Sequence, residues 1–205
     1  MKRFIRLLLI AVVIIIFCEI DQSFGNSIIE TQIGPFNLAG PPLTESKLVS
    51  QFGEGYVQLE KIGDKIVRKK RIFWVPEQEV WVQIDLSHVL DEKMESAVEA
   101  VLVTKKKLCD QDMKYVPQKT LGLLATSKGI KIKDPIEKVI GKYGKPSISM
   151  TVGKDKIFTV LGEELKLKEG LVLRYLQKQP SSELNFAEFY FKQKKLHSLL
   201  ISESE

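Results

Sequence analysis

Cysteine and histidine are scarce in this chain, with two of each in 205 residues. If the N-terminal segment that holds Cys18 is removed, Cys109 has no internal partner. Packing, and not a disulfide, must then stabilise the fold. Asp110 and Asp112 flank Cys109, and neighbouring negative charge opposes thiolate formation. Cys109 therefore reads as a small buried or half-buried thiol, with an intermolecular disulfide as the other use. His88 follows strand-like sequence, and His197 alternates with Leu196 and Ser198, so surface or edge positions are expected for both. Asp110-x-Asp112 lacks the later glycine and glutamate of a calcium loop, and no histidine or cysteine cluster has metal-ligand spacing. No Gly-x-Ser-x-Gly elbow occurs, and no glycine-rich phosphate loop ends in Gly-Lys-Ser/Thr. Gly162 to Glu164 is a turn signal. These absences predict a non-catalytic protein with no cofactor and no metal. An enzyme assembled from scattered acids and a histidine is the competing class.

Concentrated charge of one sign is missing as well. Thirty-one basic and 26 acidic side chains are interspersed and leave a net charge of +5. That balance suits a soluble surface, or weak attraction to anionic headgroups, and excludes the dense basicity of a nucleic-acid binder. Long hydrophobic runs are also lacking. The longest is the eleven residues Leu7 to Phe17, short of the about 20 that a spanning helix needs.

What the N-terminus does contain is an ordered pattern: basic Lys2, Arg3 and Arg6, the short apolar run, then Ser23-Phe24-Gly25. That is the plan of a secretory signal peptide over residues 1–25. An anchor in the inner membrane through residues 4–20 competes with it, bracketed by Arg6 and Glu19. Lipidation at Cys18 is a third reading, with Ile15-Ile16-Phe17 before the cysteine. Removing residues 1–25, with three basic and two acidic side chains, leaves 180 residues and lowers the charge from +5 to +4. The expected location is the periplasm or the extracellular space of a bacterium. The full chain is 44% apolar, and the remaining part can bury one core or two small ones.

One plan reads twice along the mature chain. In residues 129–146, Asp134 is placed to cap a helix, with Pro135 at its first position and Glu137 three after the cap. Ile136, Val139, Ile140 and Tyr143 recur at i, i+3, i+4 and i+7 as one buried stripe. Gly144 and Pro146 end it. A weaker copy upstream has Thr44 as cap, Leu48, Val49 and Phe52 as the stripe, and Gly53 as terminator. Strand-like sequence follows each. In the first unit Ile72 to Val75 and Val80 to Leu86 flank Pro76 to Glu79 as a hairpin, and Val98, Ala100 and Leu102 continue the period of two. In the second, strands are predicted at 148–152, 157–161, 171–176, 184–191 and 196–202, with Gln193-Lys194 as a tight turn. The expected fold class is α+β, two helix-plus-antiparallel-meander units in tandem behind a signal peptide. The units span residues 43–109 and 129–205. An extended lead-in covers 26–42 and a linker 110–128. Whether the two share one sheet is left open by the sequence.

Gly129-Ile130 through Pro146, and the aromatic strand, turn and final apolar strand from Leu184 to Ile201, resemble a known group. They are similar to the β-lactamase-inhibitor-protein-like fold, also used by the SmpA/OmlA lipoproteins of the outer-membrane barrel assembly machinery. There a segment Gly-Ile-x-x-Gly-x-Ser precedes a helix and a three- or four-stranded meander. Lys133 stands here where many members carry glycine. The resemblance implies an exported, non-catalytic protein of the cell envelope that binds another protein through sheet surfaces, and it implies no particular binding residue.

Two basic runs, Arg68-Lys69-Lys70-Arg71 and Lys105-Lys106-Lys107, read as solvated strand ends that guard a sheet edge. Four consecutive charges in a strand project on both faces, which calls for an edge strand or a bulge. With Trp74 and Trp81 they make the candidate partner contact: Arg68, Lys69, Lys70, Arg71, Trp74 and Trp81. A protein partner in the envelope is the first expectation. A peripheral role on an anionic membrane or lipid surface, through the basic runs, is the alternative.

Overall fold

The computed structural model describes residues 30–62, 65–87, 95–109, 116–152, 158–160, 165–167, 169–178 and 184–204. The leader readings over residues 1–25 and 4–20, together with Cys18, His88, Asp110, Asp112 and the 162–164 turn, lie outside these residues. Among the described residues no helix is long and apolar enough to cross a membrane.

A small hairpin opens the fold: β1 (Gln32–Ile33) and β2 (Phe36–Asn37). Then come α1 (Glu45–Phe52), β3 (Tyr56–Ile62), β4 (Lys65–Val75), β5 (Val80–Leu86) and β6 (Val98–Thr104). After residues 116–135 follow α2 (Ile136–Tyr143), β7 (Ile148–Val152), a hairpin of β8 (Phe158–Val160) and β9 (Leu165–Leu167), and β10 (Gly170–Lys178). β11 (Leu184–Lys192) and β12 (Lys195–Ser204) end the chain's strands.

Eight of these strands form one antiparallel sheet in the order β3-β4-β5-β6-β12-β11-β10-β7. This overturns the expectation of two tandem helix-plus-meander units: the molecule is mostly sheet, and that sheet is single. The physical reason lies at the β6–β12 seam. Ala100 to Thr104 pair with Ser198 to Ser202, and Val101, Leu102, Val103, Leu199, Leu200 and Ile201 there are all buried. Either half alone would leave this apolar edge unpaired, and an unpaired apolar edge is a template for association.

One face of the sheet carries both helices. Leu48 and Phe52 of α1, and Val139 and Tyr143 of α2, join Phe73, Val82, Ile84, Val101, Phe189, Leu199 and Ile201 in one continuous core. Each fully buried large side chain there contributes about 1.5–3 kcal/mol of transfer free energy. The lead-in and the linker belong to this core too. Ile33, Phe36, Leu121 and Leu124 are buried in it, and Gly34 N–H donates to the Ala125 carbonyl at 2.9 Å. Tyr143 O–H donates to Glu30 at 2.6 Å, and Ser127 O–H donates to the same carboxylate at 2.9 Å.

Both helices end where glycine was expected to end them. Gly53 (φ 89°) and Gly144 (φ 75°) each donate back to a carbonyl four residues earlier, at 2.8 Å. The helix starts differ from the sequence reading. Asp134 does not cap α2; its carboxylate accepts from Lys131 N–H (2.9 Å) and Lys138 (2.7 Å), and Pro135 is the capping residue, with no side-chain bond. Thr44 makes no cap bond to α1; Glu95 from a distant segment accepts from Ser46 N–H instead, at 2.6 Å. The α2 stripe is also narrower than predicted, because Ile140 is exposed. Burial of the Tyr175 phenol pushes its pKa up to about 12, and its hydroxyl donates to the Gly144 carbonyl at 3.0 Å.

Candidate functional site

Strand alternation sends every second residue to the face opposite the helices. On β3 and β4 these are Tyr56, Gln58, Glu60, Arg68, Lys70, Ile72 and Trp74. On β5 they are Trp81, Gln83 and Asp85. The register Trp74↔Trp81 puts the two indoles side by side, with ring centroids 5.2 Å apart and planes inclined by 44°. Both rings are half-buried, Tyr56 is half-buried, and Gln58 and Glu60 are exposed. An aromatic pair with one open side thus sits at the β3–β5 end of the helix-free face.

The centre of that face is closed. Ala100, Leu102, Val152, Val172, Tyr190 and Leu200 form a second buried cluster, with Leu108, Met150 and Phe186 packed against it. Polar groups are threaded through it. Gln83 donates to Asp85 at 2.8 Å, and the Thr104 and Ser198 hydroxyls meet across the seam at 2.7 Å. Glu188, 1% exposed, bonds Arg174 through one oxygen and leaves the other without a partner. Burial raises the Glu188 pKa, and the attraction of Arg174 does not fully offset it. An unpartnered buried oxygen is costly, so this row spends stability inside the sheet.

The six candidate contact residues separate by parity. Trp74, Trp81, Arg68 and Lys70 lie on the helix-free face, while Lys69 and Arg71 lie on the helix face. Arg71, almost fully buried, donates from Nε to Glu45 of α1 at 2.9 Å and from Nη1 to the Glu54 carboxylate at 2.9 Å. Lys69 pairs with Glu45 as well. Burial acts to raise the Glu45 pKa, but the bonds from Lys69 and Arg71 outweigh it and hold it below the ordinary value. Lys70 is buried opposite Asp85. β4 is not an edge strand: β3 lies outside it. The run therefore forms no continuous cationic strip, because its charges are divided between two faces and partly enclosed.

β3 is what the sequence reading missed, and with it Tyr56, diagonal to the tryptophan pair through its partner Ile72, and Gln58, farther along the same face opposite Lys70. The alternation Tyr56-Val57-Gln58-Leu59-Glu60 was its only signal, weakened by the charged or amide residues Gln58, Glu60 and Lys61. His197, expected at a surface or edge, is half-buried in central strand β12. The pairs Tyr190↔Ser198 and Phe191↔Leu196 skip it, which makes it the extra residue of a β-bulge. Cys109 is buried and free. Among the described residues no group of three or more His, Cys, Asp or Glu side chains is placed to hold a metal ion.

Comparison of the chain with known protein families, with curated proteins and with solved structures finds no match to any of the three.

Proposed function

We propose that this chain is an exported, non-catalytic interaction module of the bacterial envelope that docks a protein partner on the β3–β5 end of its helix-free sheet face. The observation that supports this reading best is the Trp74–Trp81 pair, half-buried and 5.2 Å apart, on a hairpin of interior strands. Interface energy concentrates in such aromatic anchors. Arg68 lies on the same face, six residues along β4 from Trp74, 38% exposed and 4.0 Å from Glu60. The partner chemistry this fits is an apolar side chain to lie on the indoles, with an acidic group about 20 Å farther along the strand for Arg68. The signal-peptide pattern of residues 1–25 is the support for export.

A photo-crosslinker placed at exposed Gln58 in intact cells tests the reading. It should trap one protein species of defined mass, and Trp81→Ala should reduce that adduct at least about tenfold, the equivalent of about 1.4 kcal/mol. An adduct unchanged by both Trp81→Ala and Trp74→Ala would remove the tryptophan pair from the interface.

A further inference from the structure

A separate cleft of about 370 Å³ opens where β6, the loop before α2 and the β11–β12 turn converge. It is lined by Lys105, Lys133, Lys192, Lys195, His197, Gln193 and Leu196. Among the described residues no carboxylate lines it. Acids sit at its margin: Glu79 lies 3.8 Å from Lys105 and 3.3 Å from Lys133, and Glu169 lies 3.6 Å from Lys192. Both are well exposed, at 66% and 61%, so water competes strongly for those pairs.

Backbone bonds, and not the lysines themselves, hold the cleft together. Lys105 N–H donates to the His197 carbonyl at 3.1 Å, Lys133 N–H to the Leu196 carbonyl at 2.8 Å, and Leu196 N–H to the Asp134 carbonyl at 2.8 Å. Lys133 takes a left-handed conformation (φ 78°), as do Gln193 (φ 51°) and Lys194 (φ 62°) in the turn. These are unusual for residues with side chains. The bulge at His197 re-aims its ring toward the lysines. The folded backbone thus brings four lysines to one cleft against two exposed carboxylates, an excess of positive charge that favours a bound anion.

We propose that this cleft binds a phosphate-bearing ligand, with Lys105, Lys133, Lys192 and Lys195 as its charge partners and His197 as a hydrogen-bond donor at its wall. The site is independent of the tryptophan face and does not rest on that reading. His197 reports on it. Burial, then Lys192, Lys105 and Lys106, hold its pKa below the ordinary value. The other groups facing it are Tyr190, edge-on at 5.6 Å between centroids, and the Ser198 hydroxyl, 3.2 Å from Nδ1. An anion in the cleft favours the imidazolium, so binding raises the His197 pKa, and by linkage protonation of His197 strengthens binding of a phosphate of given charge.

The test follows the His197 ring proton by NMR in the full chain during titration with inorganic phosphate, with chloride at matched ionic strength as control. Co-sedimentation with phosphatidylcholine vesicles, with and without phosphatidylglycerol, runs in parallel. The expected result is a saturable phosphate-dependent shift and an upward move of the His197 pKa. Lys133→Gln with Lys192→Gln should weaken binding at least about tenfold, while Lys119→Gln elsewhere on the surface leaves it unchanged. Binding of inorganic phosphate identifies a free phosphate group as sufficient; binding only to phosphatidylglycerol vesicles, with the same loss in the lysine variants, identifies a lipid headgroup. No saturable response to either probe, a chloride response equal to that of phosphate, or equal binding by the double variant and Lys119→Gln would overturn the proposal. Both substituted lysines are exposed, so the unfolding midpoint of the double variant confirms that it remains folded.

Discussion

Glu188 shows how one residue can oppose its own strand. It sits in β11 with Arg174 directly across the ladder on β10, and among the described residues one of its oxygens has no donor. Burial raises its pKa above the ordinary 4.5. A carboxyl group whose folded pKa is raised holds its proton longer in the native state than in the unfolded chain, so native stability falls as pH rises through that interval. Glu188→Gln cannot ionise. Urea unfolding across pH should therefore show wild-type stability declining relative to Glu188→Gln as the pH rises from 4.5 toward neutrality. A difference that instead grows in favour of the wild type with rising pH would mean that Arg174 outweighs burial. The sequence could not show any of this, since the pairing of Arg174 with Glu188 depends on register, and neither residue is distinctive by spacing.

At the scale of elements, alternation decides which charges serve structure. Arg71 and Lys69 pass beneath α1 and meet Glu45 in its first turn, and Arg71 reaches on to Glu54 in the connection to β3. This fastens α1 to the second strand of the sheet. Removing one partner of a buried pair strands the other. Glu45 is partly exposed, so water recovers part of the loss, and Arg71→Met should cost about 2 kcal/mol in denaturant unfolding, below the range for fully buried pairs. The Glu45 pKa is lowered in the folded state, so the contribution of this pair is present above 4.5 and is lost as the pH falls through the folded value. The gap between wild type and Arg71→Met should accordingly narrow in acid. Two features of these elements were plain in the sequence. Gln193-Lys194 forms the two-residue turn, because tight antiparallel pairing demands left-handed residues there. Pro76 to Glu79 forms the β4–β5 turn, with Glu79 left-handed at φ 53°. The caps at Asp134 and Thr44 differ from the sequence reading because other partners win: Glu95, from far along the chain, for α1, and the local donors Lys131 and Lys138 around Asp134.

For the whole molecule, continuity across the β6–β12 seam predicts one cooperative unit. Tryptophan fluorescence reports on β4 and β5 in one half of the sheet, and a fluorescent label on Lys195→Cys, with Cys109→Ser as background, reports on the other. Their unfolding midpoints should coincide. A fragment ending at residue 109 should fail to fold to a monomer, because β6 would present its buried apolar strand as an edge. Separate midpoints, or a stable monomeric fragment, would restore the picture of two self-sufficient halves. The candidate contact residues were half legible on the same grounds. Trp74 and Trp81 do stand together, because hairpin register follows from the turn between them. The basic run beside them divides between the faces, because strand parity is blind to what lies on each side.

By itself the sequence determined the local events: where both helices stop, where the hairpins turn, and which strands alternate, since these depend on φ preferences and on a period of two. Tertiary structure alone decided that the strands join into one sheet and that the lead-in and linker fill its core. It also decided that four lysines from three segments line a single cleft. Those outcomes rest on pairings between residues as far as 113 positions apart, whose free energy comes from burying one another's surfaces and is written in no single stretch of chain.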